Sequence, residues 1–151
     1  MSAPRVNLGK LHPDNYEALL ALSSSAEASA VAAGLSPLTV ELVKIRTSQI
    51  NGCAFCLRMH TRDAISKGET ADRLAVLSAW RETGYFSREE TAALALAESV
   101  TKVAETHVED EGYDAAVLGL SGEQVSAVAW LAIVMNAFNR VAITSKYSVR
   151  P

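Results

Sequence analysis

The chain has 151 residues, of which 49% are hydrophobic, 21% charged and only 6% aromatic, and it carries a formal net charge of -3. That balance excludes a disordered chain, and an acidic chain without a clustered basic face is not expected to bind nucleic acid. The length fits a single domain over residues 1–151, able to bury about two thirds of its extended surface.

Strand signals are nearly absent, and helix signals recur along the chain. Pro13-Asp14 opens a helix expected to reach about Val31. Ser36-Pro37 offers an N-cap followed by a proline at the first helical position, starting a helix from Leu38 to about Ile50 that Asn51-Gly52 breaks. The next helix runs from Cys53 to Lys67 and stops at Gly68. Thr70 to Thr83 reads as a further helix with Leu74, Leu77 and Trp80 on its apolar side. Ser87-Arg88-Glu89-Glu90 is a capping box that opens a helix to about Val103. A polar connector from Glu105 to Glu111 leads to a short helix near Tyr113 to Leu118. Ser121-Gly122-Glu123-Gln124 is a second capping box, starting a long helix to about Ser145. The fold class expected is all-α, a bundle of six or seven helices.

The last helix is apolar on much of its circumference between Val125 and Ile143, so it must be surrounded, by its own neighbours or by a second subunit. Its longest apolar run, Val125 to Val134, is followed by Asn136, Asn139 and Arg140 and is expected to be too short and too polar to span a bilayer. No apolar segment follows the start at Met1-Ser2-Ala3-Pro4-Arg5, which sets a cytoplasmic location as the expectation.

Both cysteines lie two residues apart in Cys53-Ala54-Phe55-Cys56, with His60 four positions beyond the second. At about 100° per residue, Cys56 lies roughly 60° and His60 about 20° from Cys53 around a helix. A lone Cys-x-x-Cys in a reducing compartment points to redox or metal chemistry rather than to a structural staple. A helix start favours the thiolate, and an imidazole one turn on can take its proton. If Asn51-Gly52 folds the chain back on itself, Glu41 lies about 15 Å down one helix and His60 about 12 Å down the next, side by side. In an unbroken helix they would stand nearly 30 Å apart, at about 1.5 Å per residue.

Glu41, Cys53, Cys56 and His60, with Asn51-Gly52 directly before the first cysteine, resemble the core motif of the alkylhydroperoxidase D-like proteins of the carboxymuconolactone decarboxylase superfamily. The resemblance is strongest from Leu35 to Gly68 and extends loosely over Leu77 to Ala104 and over Asn136 to Arg140. It implies an all-α fold assembled as trimers or hexamers, and a thiol-dependent peroxidase acting on small hydroperoxides. Cys56 would attack the peroxide, Cys53 would close the disulfide, and Glu41 with His60 would activate the attacking thiol. No metal or organic cofactor is then required, because the dithiol holds the electrons. An outside dithiol, or a lipoyl protein as in the best-studied branch, would restore them. That branch carries a histidine directly before the second cysteine where this chain has Phe55, which removes one member of the relay.

Other readings of the same residues remain. The dithiol can serve a general thiol–disulfide oxidoreductase or a redox sensor without peroxidase activity. The superfamily's other chemistry, decarboxylation of a lactone acid, does not call for it. A helical scaffold with an inert thiol pair is the non-enzymatic reading. Structural zinc usually takes four ligands, and here there are one cysteine pair, His60 and Glu41. Glu41, between Val40 and Leu42, can equally be a solvated helix residue. His12 reads as a surface or capping residue, and His107 as a solvated one in an acidic connector; Trp80, Trp130 and Phe138 sit at core spacings.

Overall fold

The computed structural model describes residues 1–151 as an all-helical protein without strands. Nine α-helices follow in order: α1 (Leu8–Leu11), α2 (Pro13–Ala32), α3 (Pro37–Asn51), α4 (Ala54–Ser66), α5 (Ala71–Val76), α6 (Arg88–Thr101), α7 (Val103–Thr106), α8 (Asp110–Gly119) and α9 (Gly122–Thr144), with a 3₁₀ segment at Leu77–Glu82. The count exceeds the six or seven expected because of the two shortest helices, α1 and α7. Short turns at Leu8–Leu11 and Val103–Thr106 carry too little pattern to be seen in the sequence. The helix expected over Thr70 to Thr83 is broken, with Ala79 at φ -118°, ψ 31°. Past that kink Trp80 turns inward and its Nε1 donates to Glu98 Oε1 at 2.9 Å.

Local chemistry sets the main boundaries. Ser36 Oγ accepts from the backbone N–H of Thr39 at the start of α3. Ser87 and Ser121 both form complete capping boxes, with Glu90 and Gln124. α3 ends at Gly52, whose φ of 68° and ψ of 35° lie in the left-handed region that favours glycine. The chain turns there, so α3 and α4 pack side by side.

α9 is the central element, in contact with α2, α3 and α6. By length and composition alone it is long and apolar enough to cross a membrane. The helix continues past the apolar run that suggested otherwise, through Asn136 and Asn139 to Thr144. In the fold, nine of its residues are buried, including Val128, Leu131 and Met135. Six of them, Val128 and Leu131 included, join a core built with Val43 and Leu96. A second cluster, around Leu42, Leu77, Leu94 and Trp80, fills the space beside α3 and α6. A third, smaller one brings Cys53 and Cys56 of the α3–α4 turn against Met135 and Ala142 of α9. Trp130, Ile133 and Ile143 of the same helix are left exposed.

Candidate functional site

The turn at Gly52 brings the four sequence-selected residues together. Cys53 is the N-cap of α4 rather than its first helical residue, and its Sγ accepts from the backbone N–H of Cys56 at 3.4 Å. Cys56 stands in the first turn, both thiols are free and buried, and their sulfurs are 2.6 Å apart. His60 follows one turn later, also buried. Across the hairpin, Glu41 of α3 reaches it: His60 Nδ1 and Glu41 Oε2 are 3.1 Å apart.

Glu41 is 1% exposed, not a solvated helix residue. A buried carboxylate needs compensating partners, and it has three. Lys67 Nζ donates to Oε1 at 2.6 Å, His60 meets Oε2, and Lys44 Nζ lies 3.8 Å from Oε1. Burial pushes this carboxyl up, but the hydrogen bonds from His60 and Lys67 and the Lys44 charge outweigh it and hold its pKa at about 2. Glu41 is therefore ionised at neutral pH and can only accept hydrogen bonds. The facing His60 Nδ1 must then carry the proton, which leaves Nε2 as the basic nitrogen.

The Cys56 thiol is moved in the opposite direction. Burial, reinforced by the hydrogen bond and charge of Cys53, pushes it up to about 12, while a hydrogen bond from Asn139 acts against that rise. Asn139 occupies the α9 face between Met135 and Ala142, the two residues packed on the thiols. It is fully buried, accepts from Asn51 Nδ2 at 2.9 Å and donates to Ser48 Oγ at 3.1 Å. Asn136 accepts from the same Asn51 group at 2.9 Å and donates to Thr101 Oγ1 at 3.1 Å; Arg140 Nη1 donates to Asn136 Oδ1 at 2.9 Å. These polar residues of α9 thus bind the turn before Cys53 to the central helix. Asn139 stands behind Cys56, Asn136 is half-buried, and Arg140 is exposed.

A cavity of about 320 Å³ opens onto the dithiol. Cys56 and His60 form part of its wall; Phe55, Met59, Met135 and Phe138 make most of the rest apolar. Lys44 and Glu27, an ion pair, stand at its polar side.

Glu41, His60 and Asp63 place one ligand atom each within 4.8 Å of one another. Glu41 is already neutralised by two ammonium groups, so a cation there would have to displace Lys67 and sit beside Lys44. The donor set favours proton handling over metal binding. The other two histidines stand apart: His12 is exposed and makes no cap bond, and His107 is exposed at φ 55°.

Two site residues escaped the sequence analysis. Lys44 follows Glu41 by three positions and Lys67 follows His60 by seven, both spacings that share a helix face. That signal was present but is common among lysines. Asn139 was in view as a polar residue on an apolar helix and within the Asn136 to Arg140 stretch of the resemblance, but without its partners Asn51 and Ser48.

Comparison with known proteins adds three findings. Residues 13–99 match the sequence model of the carboxymuconolactone decarboxylase family. The chain is 36% identical over 139 residues to the uncharacterized protein YdfG of Bacillus subtilis (strain 168), covering 92% of each chain. It is similar also to a crystal structure from Agrobacterium tumefaciens, of a protein of unknown function for which an antioxidant defence role as AhpD has been suggested. There the TM-score is 0.89 at 30% identity, with 99% of both chains covered.

Proposed function

The chain belongs to the carboxymuconolactone decarboxylase family, on its alkylhydroperoxidase D-like side, and we propose that it is a thiol-dependent peroxidase. One observation carries the reading above the others: an ionised, buried Glu41 holds His60 at 3.1 Å in the wall of a cavity that Cys56 also lines. An inert thiol pair has no use for a buried carboxylate–imidazole pair, which is expensive to desolvate.

The reaction follows from those roles. A hydroperoxide enters the cavity, and His60 Nε2 takes the proton of Cys56 as the sulfur attacks the nearer peroxide oxygen. The O–O bond breaks, the alcohol (or water) leaves with a proton, and Cys56 becomes a sulfenic acid. Cys53, whose sulfur is already against that of Cys56, attacks it, expels water and closes the disulfide. Glu41 orients the imidazole and stabilises its charged form at each proton transfer. An external dithiol, free or on a lipoyl protein, then reduces the disulfide. The apolar wall supports organic hydroperoxides as substrates alongside hydrogen peroxide. The exposed Trp130 and Ile133 of α9 support assembly as a homo-oligomer, for which the family resemblance implies a trimer or hexamer.

The test is stopped-flow oxidation of the reduced protein by hydrogen peroxide and by an organic hydroperoxide, with thiols counted before and after. Saturable loss of two thiols, abolished in Cys56→Ser, is expected. Oxidation no faster than that of a free thiol would reject the peroxidase and leave disulfide exchange or redox sensing.

A further inference from the structure

The two thiols open onto two different clefts. Cys56 lines the 320 Å³ cavity described above, and Cys53 does not. Cys53 instead lines a separate cleft of about 180 Å³, with Gly52, Ala54, Ile143, Lys146 and Val149, and Cys56 is absent from it. Phe55, Ala142 and Tyr147 line both and so form the partition. Within it the rings of Phe55 and Tyr147 meet edge-on, with centroids 5.1 Å apart.

We propose that the Cys53 cleft is the entrance for the electron donor, a slender thiol-bearing arm that attacks Sγ of Cys53, while peroxide reaches Cys56 through the other opening. The proposal rests on the dithiol cycle of the preceding subsection. Thiol–disulfide exchange depends on which sulfur can be reached, and the attacking sulfur approaches in line with the bond it breaks. A cleft lined by Cys53 and not by Cys56 brings a donor to the first of the two sulfurs and not to the second.

At the leaving end, a sulfur whose thiol pKa is raised departs poorly unaided, so the step needs a proton supplied there. The donor thiolate bonds to Cys53 Sγ as the Cys53–Cys56 bond breaks, and the electron pair passes to Cys56 Sγ. That sulfur shares its cavity with His60, whose imidazolium returns the proton. A second donor thiol then attacks the mixed disulfide and leaves as the donor disulfide, releasing Cys53 as a thiol. In sum, two donor thiols lose two electrons and the protein disulfide gains them. Attack at Cys56 would instead make Cys53 the leaving group, and its polar contacts are only the backbone N–H and sulfur of Cys56. Size and charge narrow the donor further. A volume of 180 Å³ equals that of about six liquid waters at ~30 Å³ each, enough for an unbranched arm. The exposed Lys146 on the wall favours its thiolate.

The experiment separates the two half-reactions. Wild-type protein is oxidised with diamide, which makes the disulfide without any peroxide, and its reduction by dithiothreitol is followed by stopped flow. Ile143→Trp and Val149→Trp, two exposed positions of the Cys53 cleft, should each slow reduction by about tenfold relative to peroxide oxidation, because access to the attacked sulfur governs the rate. Ser23→Trp, in the wall of the Cys56 cavity, should shift that ratio the other way. Two filling variants, each checked for a wild-type melting transition, guard against local misfolding. Reduction that ignores both, or that is slowed more by Ser23→Trp, overturns the proposal. Failure of diamide to form any disulfide would refute the redox cycle itself, a different outcome.

Discussion

Replacing Glu41 by glutamine keeps the shape of the side chain and removes its charge, which turns the relay into a measurable pH effect. The folded protein holds this carboxyl at about 2, against an ordinary value of 4.5. A depressed acid adds stability that is complete above its unfolded pKa and is lost as pH falls towards its folded one. At 1.36 kcal/mol per pH unit, the difference is worth about 3 kcal/mol at pH 7, of which roughly 2 is already lost by pH 3. Glu98 is also held low, against burial, by hydrogen bonds from Arg81, Trp80 and Arg46, and it will add an acid dependence of its own. That part is common to wild type and Glu41→Gln, so the difference between the two proteins isolates Glu41. Urea unfolding at pH 7, 5 and 3 supplies the assay. With a slope of about 2 kcal/mol per molar urea, the wild-type midpoint should fall by about 1 M more than that of Glu41→Gln between pH 7 and 3. Most of that extra fall should come below pH 5. Parallel curves for the two proteins would mean that Glu41 gains nothing from His60, Lys67 and Lys44 and is not the ionised partner of the imidazole.

Three further outcomes follow from the same geometry. Cys53→Ser should let peroxide consume one thiol and stop at a sulfenic acid, detectable by mass spectrometry or a sulfenic-acid reagent; loss of no thiol would reverse the roles given to the cysteines. His60→Ala should slow peroxide oxidation by about 10²–10⁴, the usual worth of a positioned base, and a higher pH should recover part of the loss by ionising Cys56 directly. An unchanged rate at pH 7 would remove His60 from the reaction. Gly119 and Gly112 both belong to α8, yet alanine should act oppositely at the two. A Cβ on Gly119 would stand 2.6 Å from Ala92 Cβ and 3.3 Å from the Arg88 carbonyl oxygen, whereas one on Gly112 meets only Ser99 Oγ at 3.8 Å. Gly112→Ala should stabilise by about 0.5–1 kcal/mol through helix propensity, and Gly119→Ala should destabilise by about 1–3 kcal/mol through overpacking against α6. Thermal melts decide both.

What the sequence showed of this fold was what neighbours in the chain settle between themselves. The capping boxes at Ser87 and Ser121 and the left-handed Gly52 involve partners no more than four residues away, and each could be read directly. The α3–α4 hairpin followed from Gly52, and with it the meeting of Glu41 and His60. The kink at Ala79 had no such local cause: Trp80 reaches Glu98, eighteen residues on, and a pattern of Leu74, Leu77 and Trp80 continues smoothly through the break. Burial of Glu41 was equally hidden. Its neighbours Val40 and Leu42 say nothing about Lys67, twenty-six residues away, whose ammonium makes the burial tolerable. Asn139 is the same case at greater range, since Asn51 and Ser48 lie 88 and 91 residues before it.

The raised pKa of Cys56 bears most directly on how such a site would work. A thiol pushed up to about 12 is almost wholly protonated at pH 7, unlike the lowered thiols of free-standing reactive cysteines. The start of α4 and Asn139 both act towards the thiolate, yet burial and the adjoining Cys53 prevail. An unassisted nucleophile of that kind would be slow. Two consequences follow from pairing it with His60. Proton removal has to accompany attack, so the reaction depends on an imidazole whose orientation Glu41 holds, and the relay becomes the controlling element. Nucleophilicity also rises with thiol pKa, so once the proton has gone the sulfur is a stronger nucleophile than a permanently ionised one. A site built in this way keeps its dithiol unreactive towards passing electrophiles until a peroxide lies against Cys56 with His60 free to act. On this account the carboxylate buried at Glu41 is the condition for using a thiol that its own surroundings would otherwise keep protonated.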